Sequence, residues 1–423
     1  MKKILLSLFS LCALGAHADE GMWTLYNLPN AVYEQMKAYG FQLPMEQLYA
    51  SDNAVKNAVV NFGGFCTGVV VSPDGLVFTN HHCGFDAIRQ HSTIEHDYML
   101  NGFISKSYEE ELPNEDLFVS FMVDQKDVTD QIFPHLKGLS LNKQAEFVDS
   151  VENAWQKEIR QQDSTLRVEV KPFYEGNKYY MTTYRDFEDV RLVFAVPKSM
   201  GKFGGETDNW MWPRHTCDFS MFRVYAGADN EPTEYSPSNK PLKPANHLKI
   251  SLKGVQEGDF TMIMGYPGRT QRFQTAAQLE QMIAVNRIRI DARTLRQGLM
   301  WEAMCADPEV QLKYASKYAG SANGWKKWQG EEKAFKDLDI IGRELKKEAD
   351  FMAWVGKKKA RQEAYGEALS TIEDVVRKTA AAEKAATLLI EVPLRIEIVG
   401  MAGGFQHLQA RDSAKALETI KGE

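Results

Sequence analysis

The sequence predicts an α+β protein in which an antiparallel β-barrel precedes a mostly α-helical domain. Many short apolar segments separated by turns lie between residues 55 and 268, a pattern that suits a barrel better than a parallel α/β sheet. After Arg269 the chain becomes rich in Ala, Leu, Glu, Lys and Arg, with helical periodicity. We therefore expect a barrel domain over residues 19–272 and a helical domain over residues 273–423.

The clearest strand signal is a hairpin that ends in a pair of histidines. Residues 65–78 form two apolar runs joined by Pro73-Asp74-Gly75, and Thr79-Asn80-His81-His82-Cys83 follows directly. A Pro-Asp-Gly sequence between two apolar runs predicts a tight turn. Other segments with strand character are residues 117–123, 167–174, 178–183, 190–196, 219–225 and 260–264.

Helical periodicity marks one segment of the first domain and most of the second. Residues 141–160 carry apolar side chains along one side, and residues 274–304, 325–355 and 365–389 read as further helices. Asp307-Pro308 and the stretch Gly320–Gly324 supply residues that stop helices. We therefore expect Ser321 to lie in a connection between two helices.

Composition limits the classes of function. The chain has 423 residues, 44% of them hydrophobic, which is enough for two to three domain-sized cores. Its formal net charge of −7 argues against a nucleic-acid-binding protein, which usually carries a basic face. No nucleic-acid partner is predicted.

The N-terminus predicts export. Lys2 and Lys3 precede an apolar run from Ile4 to Leu14, and Ala16-His17-Ala18 follows it. This order is typical of a secretory signal peptide, here residues 1–18. The apolar run is shorter than the roughly 20 residues that a spanning helix needs, and no other segment is long and apolar enough to span a membrane.

Export makes a disulfide the default interpretation for a well-placed cysteine pair. Cys12 leaves with the signal peptide, and Cys66 and Cys83 stand at the outer ends of the two hairpin strands. We predict that they form a disulfide. Cys217 and Cys305 lie in dissimilar surroundings and are expected to be free thiols.

Two residues have the chemistry of an acyl-transfer site. Such a site needs a nucleophile, an imidazole that takes its proton, and a carboxylate that orients the imidazole. His82 is the candidate base, while His81 is expected to pack or to form hydrogen bonds. Asp218 directly precedes an apolar strand and is the candidate carboxylate. The order His, then Asp, leaves the serine last, as in chymotrypsin.

These motifs resemble those of known serine proteases. Cys66-Thr67-Gly68 and Thr79–Cys83 resemble the region of the catalytic histidine in chymotrypsin-type proteases. Two longer motifs resemble serine peptidase family 46, the family of bacterial dipeptidyl peptidases 7 and 11. They are residues 81–88 and residues 205–215, and the second contains Asn209-Trp210-Met211-Trp212. The resemblance covers most of the mature chain.

The resemblance implies a chymotrypsin-like double barrel and an exopeptidase that removes dipeptides from peptides with a free N-terminus. Asn209, through its side-chain oxygen, and Trp210, by closing the cleft, would bind the substrate's amino group. Trp212 is expected in the core. The protein would act in the periplasm or at the cell surface of a Gram-negative bacterium, without a cofactor or metal. A homodimer stays an open alternative.

The family's nucleophile lies in a Gly-x-Ser-Gly-type turn on the second barrel, and no serine of this sequence stands in such a turn. Ser220 follows Asp218 too closely, and Ser321 is assigned to a helix connection. We therefore expect a C-terminally truncated chain, without the second barrel and inactive by itself. An alternative function is a catalytically inactive fragment that binds peptide N-termini.

A zinc site is the other alternative. It would use residue types that bind zinc in the stretch after the hairpin, although their spacing matches no known zinc signature. These residues are His81, His82, Cys83, Asp86, His91 and His96.

Overall fold

The computed structural model describes residues 22–93, 95–205, 207–268 and 270–405. The predicted signal peptide, residues 1–18, lies outside the described residues. The chain divides into two compact units. Unit 1 comprises Met1–Phe203 and Thr216–Thr270, and unit 2 comprises Gly204–His215 and Gln271–Glu423. The predicted domain boundary at residue 272 stays a prediction.

Unit 1 is built on an antiparallel sheet. The order of its hydrogen-bonded strands is β4-β9-β10-β3-β2-β1-β6-β8-β7, and β5 and β11 pair with β9 and β10. The strands are β1 Val59–Phe62, β2 Cys66–Val70, β3 Leu76–Thr79, β4 Phe103–Ile104, β5 Leu112–Asn114, β6 Val119–Asp127, β7 Leu166–Phe173, β8 Lys178–Phe187, β9 Val190–Ala195, β10 Ser220–Ala226 and β11 Lys240–Pro241.

The helices of unit 1 are short, with one exception. They are α1 Asn30–Ala38, α2 Phe85–Gln90, α3 Tyr98–Asn101, α4 Thr129–Leu136, α5 Leu141–Gln162 and α6 Lys198–Gly201. The α+β class is therefore confirmed, and the helix expected at residues 141–160 is present. The chymotrypsin-type barrel and the absence of a second barrel stay predictions.

The main core of unit 1 lies beneath the central strands. Alternate residues of β2, β3 and β10 are buried, as expected for strands with one face on the core. Val70, Val77 and Phe222 are fully buried and belong to one apolar cluster. Since the cluster also contains Cys83, the segment after β3 is anchored to the core next to His82.

One predicted strand is wrong. Residues 260–264 are not in a strand, and Ile263 in this segment is fully exposed. The segment is held by side chains: the Phe260 ring lies 5.2 Å from that of Phe41, and the Tyr266 N–H donates to Thr67 Oγ1 at 2.8 Å. Apolar residues alone do not make a strand, because the backbone also needs a partner for its ladder, and the described residues supply none here.

The outer edge of β7 is covered by side chains of α5. Gln156 donates to Leu166 O at 3.0 Å and accepts from the Val168 N–H at 2.7 Å, and Glu152 accepts from the Val170 N–H at 2.6 Å. The next outward position is Pro172, which has no N–H. The Gln156 amide thus forms the two hydrogen bonds that a residue of a neighbouring strand would form.

The described residues of unit 2 form helices, the connections between them and the segment Gly204–His215. The helices are α7 Ala276–Ala306, α8 Pro308–Asp337, α9 Ile340–Gly356, α10 Lys359–Tyr365, α11 Ala368–Glu391 and α12 Glu397–Phe405. None of the helices in the described part of the chain is both long enough and apolar enough to cross a membrane.

The predicted helix break at Gly320–Gly324 is wrong. α8 runs through these residues, and Ser321 is buried within it rather than placed in a connection. Ser321 accepts hydrogen bonds from α7, at its backbone oxygen from Arg293 and at its hydroxyl from Gln297. A glycine costs a helix only about 1 kcal/mol, which such contacts can offset. The chain instead breaks at Asp339, whose φ of 47° is left-handed.

A buried ion group links α7 and α11. The carboxylate of Glu391 accepts from Arg293 at 2.8 Å and from Arg296 at 3.4 Å. Burial alone would raise the pKa of Glu391, but the hydrogen bonds from Arg293 and the charges of both arginines hold it below its ordinary value. The charged carboxylate is thus retained in the interior because it is paired.

Candidate active site

The hairpin of β2 and β3 carries the predicted base. Val69 pairs with Phe78 and Val70 with Val77. In the turn, Ser72 Oγ accepts from the N–H groups of Asp74 and Leu76 at 3.2 and 3.1 Å. The chain therefore returns along β2 and presents residues 80–83 at the end of β3.

Pairing of β10 with β3 brings Asp218 to His82. Ser220 is opposite Thr79 in the ladder, so the residues just before β10 lie beside those just after β3. The carboxylate Oδ2 of Asp218 is 2.7 Å from His82 Nδ1, and its Oδ1 accepts from the His82 backbone N–H at 3.0 Å. Asn80 adds a hydrogen bond from its amide to Asp218 O at 3.1 Å.

The surroundings of the pair keep the carboxylate charged. The side chain of Asp218 is 15% exposed. Burial alone would raise the pKa of Asp218, but the hydrogen bonds from the side chain and backbone of His82 outweigh it and leave the pKa below its ordinary value. A charged carboxylate at Nδ1 favours the tautomer with the proton on Nδ1.

The other side of the His82 ring faces outward. The side chain is 69% exposed, and Nε2 forms no hydrogen bond with a described residue of unit 1. With its proton on Nδ1, the ring has a free Nε2 that can accept a proton from a hydroxyl group. This geometry is that of a general base held by a carboxylate, and the catalytic roles of His82 and Asp218 stay predictions.

His81 lies in the interior. It is 2% exposed, and its Nε2 has no hydrogen-bond partner among the described residues. Burial lowers the pKa of His81, although the negative charge of Asp218 acts in the opposite direction. The two adjacent histidines therefore differ in environment: one is buried and favours the neutral form, and the other is exposed.

Cys66 and Cys83 form a disulfide, as predicted, with their Cα atoms 6.2 Å apart. Cys217 and Cys305 are free thiols. The disulfide removes Cys83 from the zinc alternative, because its sulfur is no longer a thiolate. Two other candidate ligands have contacts of their own: His91 is 3.2 Å from Asn114 Oδ1, and His96 stacks on Tyr98.

The predicted amino-group site lies in unit 2. Asn209 donates from its amide nitrogen to Asn323 Oδ1 at 2.9 Å, and the Trp210 indole N–H donates to the same oxygen at 2.9 Å. The side-chain oxygen of Asn209 is not used in the contact with Asn323, and it accepts a hydrogen bond from Arg214 Nη1 at 3.4 Å. That oxygen is the acceptor which the prediction assigns to a substrate ammonium group.

Two residues of this region differ from expectation. Trp212 is 93% exposed, so its predicted core position is wrong, because the segment that carries it buries neither face of the ring. Asn323, which holds both Asn209 and Trp210, was not predicted as a site residue. It lies 113 positions beyond Trp210, in a glycine-rich stretch that suggested a turn, and no local pattern marked its role.

Comparison with known proteins gives consistent matches. The family model described as Peptidase S46 matches residues 18–418. A dipeptidyl-peptidase 7 from Porphyromonas endodontalis is 46% identical, over 92% of this chain and 48% of that protein. An Asp/Glu-specific dipeptidyl-peptidase from Porphyromonas gingivalis is 40% identical, over 99% of this chain and 58% of that protein.

Solved structures match the fold as well. The crystal structure of Porphyromonas endodontalis DPP11 in complex with the dipeptide Arg-Glu has a TM-score of 0.79 and 39% identity to this chain. The match covers 88% of this chain and 54% of that one. This chain spans about half the length of the curated relatives it matches.

Proposed function

Because this chain belongs to the peptidase S46 family, we propose that it supplies the base and the orienting carboxylate of a serine-type dipeptidyl peptidase. The observation that carries the proposal is the 2.7 Å contact between Asp218 Oδ2 and His82 Nδ1, with Nε2 on the exposed side of the ring. In acyl transfer, Nε2 of His82 takes the proton of a serine hydroxyl, and Asp218 stabilises the imidazolium that forms.

The substrates proposed are peptides with a free N-terminus. An ammonium group carries hydrogen-bond donors only, so it needs an oxygen acceptor, and Asn209 Oδ1 is such an acceptor. Trp210 would close the end of the cleft, and Asn323 holds both side chains in place. A wall behind the ammonium group would exclude further residues on the N-terminal side of the cleaved bond and explain release of dipeptides.

The serine nucleophile is proposed to lie outside this sequence. Among the described residues of unit 1, no serine hydroxyl forms a hydrogen bond with His82, and Ser220, close in sequence to Asp218, is buried and donates to Asn80 O at 3.0 Å. This chain by itself should then not react with a fluorophosphonate, which labels activated serines. Labelling in proportion to the protein would contradict this assignment.

Cleavage of dipeptidyl fluorogenic substrates by the whole protein tests the function. We expect release from substrates with a free amino end and none when that end is acylated. His82→Ala should lower kcat by about three orders of magnitude or more, and His96→Ala is the matched control. Equal cleavage of blocked substrates would rule out the aminopeptidase mode, and full activity of His82→Ala would rule out the base.

We also propose that the protein is exported to the periplasm or cell surface. The signal-like N-terminus and the Cys66–Cys83 disulfide support this, since disulfides persist in oxidising compartments. The mature protein should begin at Asp19. N-terminal sequencing of cell fractions checks this, and a cytosolic protein that retains Met1 would contradict it.

A further inference from the structure

The short helix α6 contacts the residues that precede both members of the His82–Asp218 pair. Its last residue, Gly201, lies against the ring of His81, and its terminal carbonyl groups bind Thr216 and Cys217. His81 immediately precedes His82, and Thr216 and Cys217 immediately precede Asp218. One helix end is thus in contact with both chain segments of the candidate site.

Gly201 allows the ring of His81 to approach the helix backbone closely. A Cβ atom at position 201 would stand 2.5 Å from His81 Cγ, 2.7 Å from Cδ2 and 2.8 Å from Nδ1. Such distances are far below van der Waals contact, and a planar buried ring cannot rotate away freely. Any residue larger than glycine would therefore displace His81, and with it the backbone of His82.

The second contact uses carbonyl groups that a helix leaves unpaired at its C-terminal end. Thr216 donates its hydroxyl to Gly201 O at 3.2 Å and to Met200 O at 3.3 Å. The Cys217 N–H donates to Met200 O at 3.0 Å. These bonds fix the backbone one and two residues before Asp218.

We propose that Gly201, His81 and Thr216 are positioning residues which set the carboxylate of Asp218 against His82. Packing of His81 on Gly201 places the His82 N–H that donates to Asp218 Oδ1, and the bonds of Thr216 place the carboxylate from the other side. This inference rests on the proposed function, because the pair matters only if His82 is the base. None of the three residues touches the reacting atoms.

The charges around His81 suit this role. Asp218, His82 and Lys198 are the charged or titratable groups that act on its ring, and burial favours the neutral form. A neutral His81 places no second positive charge beside His82 when that residue takes up a proton. Its contribution is then to geometry and not to the charge of the site.

The tautomer of His82 gives a direct test in this chain without any activity assay. The ¹⁵N shifts of labelled histidine rings report which nitrogen carries the proton, and the chain has nine histidines to assign. In the native protein we expect the neutral His82 ring to carry its proton on Nδ1, bound to Asp218. Gly201→Ala should shift His82 toward the Nε2–H form, as should Asp218→Ala, which removes the acceptor of the Nδ1 proton.

Matched variants separate the two contacts. Thr216→Val removes the hydroxyl donor at nearly the same volume and should produce the same shift, whereas Thr216→Ser keeps the donor and should restore the native tautomer. Gly268→Ala, where an added Cβ meets open space, is the control for a glycine substitution in unit 1. The double variant Gly201→Ala, His81→Ala should resemble His81→Ala, because the new methyl group then has no ring to meet.

The native tautomer in both Gly201→Ala and Thr216→Val, each folded by far-UV circular dichroism, would overturn the proposal. If Gly201→Ala does not fold, Thr216→Val decides, since Thr216 is only partly buried. In the whole protein, Thr216→Val should lower kcat by about tenfold with little change in KM. If the variants shift the tautomer of His82 but the native whole protein has no peptidase activity, the positioning inference stands and the proposed function is contradicted.

Discussion

At the scale of single residues, the carboxylate of Asp218 is stabilised by the groups that it orients. Its two oxygens accept hydrogen bonds from the ring and from the backbone of His82. These bonds favour the charged form more than burial disfavours it, so the pKa of Asp218 lies below its ordinary value of 3.8. The same hydrogen bonds therefore stabilise the folded state and hold the candidate carboxylate against the candidate base.

The lowered pKa leads to a prediction for Asp218→Asn. Because the folded state binds a proton less readily than the unfolded state, the stabilisation is present above pH 3.8 and is lost as the pH falls through the lowered value. The variant should be less stable than the native chain by about 1–3 kcal/mol at neutral pH, and this difference should shrink in acid. Urea unfolding over a pH series measures it.

Asp116→Asn, at an exposed position, is the control for this series and should differ little from the native chain at any pH. A constant difference between Asp218→Asn and the native chain down to the acid transition would show that the lost hydrogen bonds are not linked to the charge of Asp218.

At the scale of elements, α8 shows why local sequence is a weak guide to where a helix ends. Two of its glycines differ in surroundings: a Cβ at Gly320 would meet open space, whereas at Gly324 it would stand 2.8 Å from Arg293 Nη1. Arg293 is held by Glu391 and cannot move freely. Continuity of the helix thus depends on its neighbours in unit 2.

Gly320→Ala should therefore raise the free energy of unfolding by up to about 1 kcal/mol, because alanine loses less backbone entropy in a helix. Gly324→Ala should gain nothing or lose stability, since its methyl group displaces Arg293. Chemical unfolding of both variants compares two identical substitutions on one helix. An equal change in the free energy of unfolding in both variants would mean that the close contact between position 324 and Arg293 does not destabilise Gly324→Ala.

The α5–β7 contact gives a second prediction for an element. Removing both side chains, in Glu152→Ala with Gln156→Ala, leaves the N–H groups of Val168 and Val170 without partners and opens a strand edge. We expect concentration-dependent self-association, measured by sedimentation velocity, and a loss of about 1–3 kcal/mol per unpaired group. Glu158→Ala on the exposed side of α5 should stay unchanged. A double variant that sediments as the native chain does would contradict the protective role.

At the scale of the whole molecule, the two units differ in the interactions that stabilise them. Unit 1 contains the Cys66–Cys83 disulfide, which closes a loop with a separation of 17 residues. Unit 2 has helices joined by buried ion pairs, such as that of Glu391, and its described residues contain no disulfide. The redox state of the compartment should therefore directly affect the stability of unit 1.

Reduction of the disulfide, or replacement of both cysteines by serine, should destabilise unit 1 by about 3 kcal/mol, as expected for a loop of this length. Hydrogen exchange followed by mass spectrometry tests this unit by unit. Peptides from β1 to β3 should exchange faster, and peptides from α7 and α8 serve as the internal control. Uniformly faster exchange in both units would show that the loss is not confined to the cross-linked unit.

Much of this protein follows from its sequence because the relevant signals are local. The turn at Pro73-Asp74-Gly75, the strands around it, the long helices and the family motifs at residues 81–88 and 205–215 depend on neighbouring residues. So does the pairing of Cys66 with Cys83, since both belong to one hairpin. The predicted roles of His82 and Asp218 rest on such local signals too, namely the motif around His82 and the position of Asp218 directly before an apolar strand.

What the tertiary structure decided depends on distant partners. Residues 260–264 have strand composition but no ladder partner among the described residues. Trp212 has an apolar ring, but the described part of the chain leaves it exposed. Gly320–Gly324 stays helical because α7 packs there. The packing of Gly201 against His81 and the contact of Asn323 with Trp210 join residues far apart in the chain. Sequence patterns report local preference, and burial and hydrogen bonding between distant segments decide the rest.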